Sequence, residues 1–168
     1  MNQPRRFVLF GLPGSGKSTF AVKLSNKLNI PVHHLDRHMF EAGGKKRDKQ
    51  EFLALQKAML VEDSWIIEGC AMSTLEIRFA KADIVIYFHL PRLLCMWRVL
   101  KRVFFHDKTL CDTADGCTKV ISWEILKYIW NFEKEKRESI EALRKKYPHA
   151  EFRIFQTSHD ANQYILSM

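Results

Sequence analysis

Apolar residues fall along the chain in short continuous runs, separated by stretches with helical spacing. Phe7–Phe10 is uninterrupted and predicts a buried strand, while Phe20, Leu24 and Leu28 recur at a helical interval over Lys17–Asn29. Pro31 then opens a short strand through Val32–His34, and Phe52, Leu55 and Met59 mark a helix over residues 48–61. "WIIEG" (65–69) is a strand ending on an acid and a glycine, and a short helix over Thr74–Lys81 leads to "DIVIYFHL" (83–90), the most apolar strand. Pro91 closes that strand and opens a helix to Phe105, after which residues 106–118 are polar and irregular. A long helix begins near Lys119 and must stop before Pro148, because proline disfavours helical geometry in the residue ahead of it. "EFRIF" (151–155) is a last strand, and Ser158 or Asp160 caps a final helix. Strands that alternate with helices and read as continuous apolar runs predict an α/β fold, its parallel sheet covered on both faces.

Two helices carry more than a simple stripe. After Pro91, Leu93, Met96, Trp97, Leu100 and Phe104 form one face that reads as core, which puts Arg98, Lys101 and Arg102 together on the opposite side. In the long helix, Trp123, Leu126 and Trp130, with Ile125 and Ile129 beside them, make the first half apolar nearly all round. Core packing is the plain reading of that half, with a dimer contact and base stacking as rivals; monomer and homodimer stay open.

At 168 residues, 46% of them apolar and 12 of them Phe, the chain predicts one folded domain over 1–168. No apolar run approaches the ~20 residues a bilayer span needs, and the patch in "MNQPRRFVLF" is too short for a secretory signal. A cytoplasmic location and no membrane contact are the expectation. Cys70, Cys95, Cys111 and Cys117 form no disulfide framework, and His106, Cys111 and Cys117 miss the close cysteine pairs of structural zinc sites. His33, His34 and His38 read as polar residues of a loop, one of them within reach of a substrate. The net charge of +8, with clusters at 45–49 and 98–102, suits nucleic acid, an anionic surface or a polyphosphate, and does not choose among them. No helix shows cations interleaved with aromatics, so weak, non-specific nucleic-acid binding is the most that charge alone implies.

The choice comes from one loop. Gly11-Leu12-Pro13-Gly14-Ser15-Gly16-Lys17-Ser18 fits the pattern G-x4-G-K followed by Ser or Thr, between a predicted strand and a predicted helix. Glycines let backbone amides approach phosphate oxygens, and the helix that follows points its positive end at the same anion. Lys17 adds a point charge for the β- and γ-phosphates, Ser18 offers a hydroxyl to Mg²⁺, and Thr19 lies close to the α-phosphate. The loop predicts a site for ATP with Mg²⁺.

The rest of the chain narrows the class. A guanine-reading N-K-x-D is approximated only by "NKLN" at 26–29, inside the first helix. A small kinase must hold an acceptor against the γ-phosphate by positioning and charge neutralisation. Asp36, just past the second strand and next to Arg37, would orient an acceptor hydroxyl or hold Mg²⁺ through water; an exposed loop carboxylate or helix cap is the rival. Glu68 sits at the carboxyl edge of the sheet, where ligands of open α/β sheets bind, and suits a water-mediated Mg²⁺ role.

"GLPGSGKST", "HHLD", "WIIEG", Arg78 with "ADIVIYF" and "LPR", and Arg98 with Arg102 in succession resemble the adenylate kinase superfamily; "WIIEG", "DGC" and "WEILKYIWNF" resemble its bacterial DNA topology modulation proteins. The resemblance implies a three-layer α/β/α P-loop kinase with a five-stranded parallel sheet in the order 2-3-1-4-5. It implies lid arginines at Arg98 and Arg102, a short lid over 103–120 with Lys108 and Lys119, and an acceptor-phosphate grip at Arg78. It also places adenine beside Gln156-Thr157-Ser158. The chain departs from the D-G-F-P-R of adenylate kinases, having Glu68-Gly69-Cys70-Ala71-Met72 instead. The expected activity is γ-phosphoryl transfer from ATP to a nucleotide or a small hydroxylated metabolite. An ATP-switched regulator associated with nucleic acid is the alternative.

Overall fold

The computed structural model describes residues 5–41, 45–104 and 123–168. Its elements run β1 (Arg6–Gly11), α1 (Lys17–Leu28), β2 (Val32–His34), α2 (Leu35–His38), α3 (Lys49–Met59) and β3 (Trp65–Glu68). A 3-10 turn (Met72–Thr74) then leads to α4 (Leu75–Phe79), β4 (Ile84–Phe88), α5 (Arg92–Phe104), α6 (Trp123–Lys146), β5 (Glu151–Phe155) and α7 (Ser158–Ser167). The five strands form one parallel sheet in the order β2-β3-β1-β4-β5, as the resemblance implied. Residues 105–122 lie outside the described residues, and with them most of the expected lid, Lys108, Lys119, His106, Cys111 and Cys117. Among the described residues no helix is long and apolar enough to cross a membrane.

The apolar runs form the middle of the sheet because both of its faces are covered. β1 from Phe7 onward and all of β3 and β4 are buried. Phe10 and Tyr87, neighbours in the β1–β4 register, stack at 4.9 Å on one face, where Phe79 of α4 and Phe132 of α6 approach them. On the other face Phe88 and Phe155 enclose Phe20 of α1, with Tyr164 of α7 alongside. The edge strand β5 exposes Glu151 and Arg153, charges that discourage pairing with another chain. Asp48 caps α3 by accepting from the Gln50 and Glu51 amides.

Three readings of helix faces and caps need correction. Leu93 is 66% exposed and Trp97 56%, whereas Cys95 is fully buried. The reason is that α5 docks on the glycine loop through its backbone: a Cβ placed on Gly14 would stand 2.5 Å from the Cys95 carbonyl oxygen and 3.2 Å from Val99 Cγ2. That contact makes the Cys95–Val99 side the buried one. In α6, Ile129, Phe132 and Ile140 are buried, but Trp123 and Trp130 are exposed. The guanidinium of Arg92 on α5 covers the Trp130 ring of α6 at 3.8 Å, and within α5 Lys101 lies over Trp97 at 5.1 Å, so cations and aromatics do meet on these helices. Finally, Thr157 caps α7: its hydroxyl accepts from the Asp160 amide while Asp160 accepts from the Thr157 amide.

Gly14 has φ +80 and a wall of backbone against it, while Gly16 has φ +91 and open space. Gly16→Ala is expected to cost about 1–2 kcal/mol from backbone strain alone. Gly14→Ala adds the clash with α5 and should cost about 2–4 kcal/mol. Urea unfolding of both variants checks this; equal losses would show that α5 does not press on the loop.

Candidate active site

The loop between β1 and α1 turns inward and presents a helix end. Ser15 N–H donates to the Leu12 carbonyl at 3.2 Å, and Gly16 stands at the N-cap of α1 without a side-chain cap. No acidic residue occupies the first turn of α1. The first amides and the positive end of the helix dipole are therefore left for an anion. Lys17 is buried, with Nζ 3.4 Å from the Leu12 carbonyl oxygen. The buried Ser15 hydroxyl has no hydrogen-bond partner in the protein.

Glu68 faces this loop from the end of β3. It is 0% exposed, and its Oε1 accepts from His34 Nδ1 at 2.6 Å while Oε2 is buried without a hydrogen bond. Burial pushes the carboxyl up, but the His34 bond, the charges of Lys17 and His34, and the Ser18 hydroxyl outweigh it, so the carboxyl is held below its ordinary range. Sequence reasoning ended the second strand at His34 but read its side chain as loop-side and polar, and missed this pairing. The signal was the parallel register, in which His34 lies beside Glu68 on the neighbouring strand.

Asp36 lies in the first turn of α2, half-buried, with Oδ1 3.4 Å from where a Gly69 Cβ would be. Arg37 is exposed, and its charge helps burial and His33 to lower the pKa of His38. Arg78 of α4 is fully buried beneath the loop after β3. Its Nη2 donates to the Ala71 carbonyl at 2.6 Å, Nη1 to Gly69 at 3.4 Å and Nε to Thr74 at 3.4 Å. Two further side chains there were not anticipated. Cys70 Sγ donates to the Gly11 carbonyl at 2.9 Å, leaving the Tyr128 hydroxyl of α6 to donate to the sulfur at 3.1 Å. Burial pushes the thiol and the phenol up, so both stay neutral at physiological pH.

On the other side of the loop, Arg98 donates to the Gly14 carbonyl at 3.4 Å and to the Ser158 hydroxyl at 3.1 Å. It thereby ties the glycine loop to the segment after β5. Thr157 belongs to that segment, though its hydroxyl is engaged in the α7 cap. Arg102 follows one turn along α5, half-buried. The fold thus gathers Lys17, Ser18, His34 and Glu68 at one point, with Asp36, Cys70 and Arg78 on one flank and Arg98 with Ser158 on the other.

The donor set fits Mg²⁺ with phosphate. Among the described residues no cluster of three His, Cys, Asp or Glu could hold a metal alone. Mg²⁺ needs less, since it keeps waters and takes one or two protein oxygens plus substrate phosphates. An ionised carboxylate with one unpaired buried oxygen beside the Ser18 hydroxyl meets that need.

No protein-family model matches the chain, and no curated protein matches it in sequence. Solved structures match it in fold. Shikimate kinase from Bacteroides thetaiotaomicron is 18% identical, with a TM-score of 0.58 over 98% of this chain and 96% of that one. Shikimate kinase from Acinetobacter baumannii, in complex with shikimate, is 15% identical, with a TM-score of 0.62 over 97% and 89%. Deoxyadenosine kinase from M. mycoides, with bound dCTP, is 15% identical, with a TM-score of 0.50 over 96% and 97%. The chain therefore has a P-loop kinase fold.

A carboxyl held low stabilises the fold while ionised. Its contribution is full above the ordinary value of 4.5 and is lost as pH falls through the lower, folded value. Glu68→Gln keeps the shape without the charge. The stability difference between wild type and variant should therefore shrink on acidification from about pH 5 to about pH 3. Denaturant titrations across that range check it, and a constant difference would show that Glu68 is not held ionised.

Proposed function

We propose that this protein transfers the γ-phosphoryl group of ATP, as its Mg²⁺ complex, to a nucleotide or a small hydroxylated metabolite. One observation carries the reading: the buried Glu68 carboxylate, anchored on one oxygen by His34 and unpaired on the other, faces Lys17 and Ser18 at the uncapped start of α1.

In this reading Gly11 and Pro13 shape the turn, the backbone N–H groups of Gly14 through Thr19 cradle the phosphates, and Lys17 counters the β- and γ-charges. Mg²⁺, held by the Ser18 hydroxyl and through water by Glu68, supplies charge neutralisation across the phosphates. Arg98 and Arg102 stabilise charge that grows as the γ-phosphoryl group leaves. The Thr157 segment borders the adenine. Asp36 accepts the proton side of the acceptor hydroxyl, with Arg37 and Arg78 around it. The finer likeness to DNA topology modulation proteins and the cytoplasmic location belong to the same proposal. So does the view that the basic excess serves phosphates in the cleft, leaving duplex binding weak and salt-sensitive.

Lys17→Ala should weaken ATP binding at least about tenfold without unfolding the chain, as read by calorimetry and circular dichroism. Arg98→Ala and Arg102→Ala should each lower kcat by about 10²-fold or more while changing ATP affinity far less. Wild-type turnover in both arginine variants would remove them from the chemistry.

A further inference from the structure

We propose that the phosphoryl acceptor carries no phosphate of its own and is an uncharged hydroxyl compound, a nucleoside or a polyol. This rests on the phosphotransferase reading above and adds the class of its second substrate.

The argument begins at Arg78, the cation beneath the acceptor side. All three of its nitrogens are engaged with carbonyls of the Gly69–Thr74 segment, and the side chain has no exposed surface. Drawing it toward a substrate phosphate would orphan those buried carbonyls, each a costly loss. Burial lowers its pKa to about 10, with Asp36 and Glu68 acting the other way, so at neutral pH it remains charged and answers two carboxylates. Its charge is already matched from within.

Beside Arg78 lie two polar groups that carry no charge. Cys70 and Tyr128, which sense the Asp36 charge as Arg78 does, form a chain of hydrogen bonds from α6 through the sulfur to the Gly11 carbonyl. Two other arginines are engaged within the protein: Arg98 is held to Gly14 and Ser158, and Arg47 donates to the His38 carbonyl and pairs with Glu51. Arg37, next to Asp36, is exposed to solvent and no part of the enclosed wall. A phosphate dianion entering beside ATP would meet Asp36 and Glu68 across a low-dielectric wall. A neutral hydroxyl would meet a hydrogen-bond acceptor. In the transfer, the acceptor oxygen bonds to the γ-phosphorus and the β–γ bridging P–O bond breaks, its electron pair leaving on ADP. The hydroxyl proton passes to Asp36 and on to water.

The test uses the full chain and three probes. Calorimetry with Mg·ATP comes first; failure to bind ATP would refute the phosphotransferase reading itself. Diadenosine pentaphosphate, which joins a nucleotide donor to a nucleotide acceptor, should then bind no tighter than ATP. Transfer from γ-32P-labelled ATP to a panel of nucleosides and polyols should exceed transfer to nucleoside monophosphates and sugar phosphates by about 100-fold. Binding of the pentaphosphate more than about tenfold tighter than ATP would overturn the inference. So would label preferentially on phosphorylated acceptors, or label on neither set with ATP bound.

Discussion

The site depends on how closely backbone approaches backbone at the glycine loop. A Cβ on Gly11 would stand 2.4 Å from the Phe88 carbonyl oxygen, and one on Gly14 2.5 Å from that of Cys95. Neither approach leaves room for a side chain, so β4 and α5 are fixed against the loop at the distance of bare main chain. Everything on α5 is then set by that contact. Cys95 and Val99 turn inward, Arg98 reaches across Gly14 to Ser158, and Leu93 and Trp97 are left outside. A helix that packed by its most apolar face would have swung Arg98 away from the loop.

The second constraint is electrostatic. Among the described residues the buried polar side chains are Ser15, Lys17, Gln56, Glu68 and Arg78, and all but Gln56 belong to the site. Buried charges are costly unless paired and hydrogen-bonded. Here Glu68 is tied to His34, Arg78 to three carbonyls, and Lys17 lies near enough to Glu68 to hold its carboxyl down. Three buried side-chain atoms lack a hydrogen bond among the described residues: Trp65 Nε1 lies in the sheet core, while Ser15 Oγ and Glu68 Oε2 belong to the candidate site. A core built for stability alone would carry apolar residues in those places.

What the sequence revealed follows from the range of the physics involved. β1, β3 and β4 were legible because each is a local apolar run buried on both sides, and the glycine loop because its chemistry is contiguous. The face of α5 was not, since its amphipathic stripe gives way to a backbone contact with Gly14, 81 to 85 positions earlier in the chain. The His34–Glu68 pair depends on the register of two strands, and Cys70–Tyr128 on where α6 crosses the sheet; neither leaves a periodic mark. Thr157 rather than Ser158 or Asp160 caps α7 because the reciprocal bond with Asp160 satisfies two amides at once.

Together these contacts divide the cleft into two chemistries. On the α5 side a guanidinium is exposed enough to change partners, since Arg98 makes one bond of 3.4 Å to a carbonyl and one to a surface hydroxyl. On the β3 side the guanidinium of Arg78 is enclosed and its bonds are to buried main chain, so moving it would dismantle the loop after β3. The floor between them, Phe7 to Phe10 and Ile84 to Phe88, is wholly buried and belongs to the most stable part of the fold. Adjustment to a ligand therefore falls to the α5 side, where the guanidinium can exchange its partners. The β3 side holds its carboxylate, thiol and phenol in fixed internal hydrogen bonds.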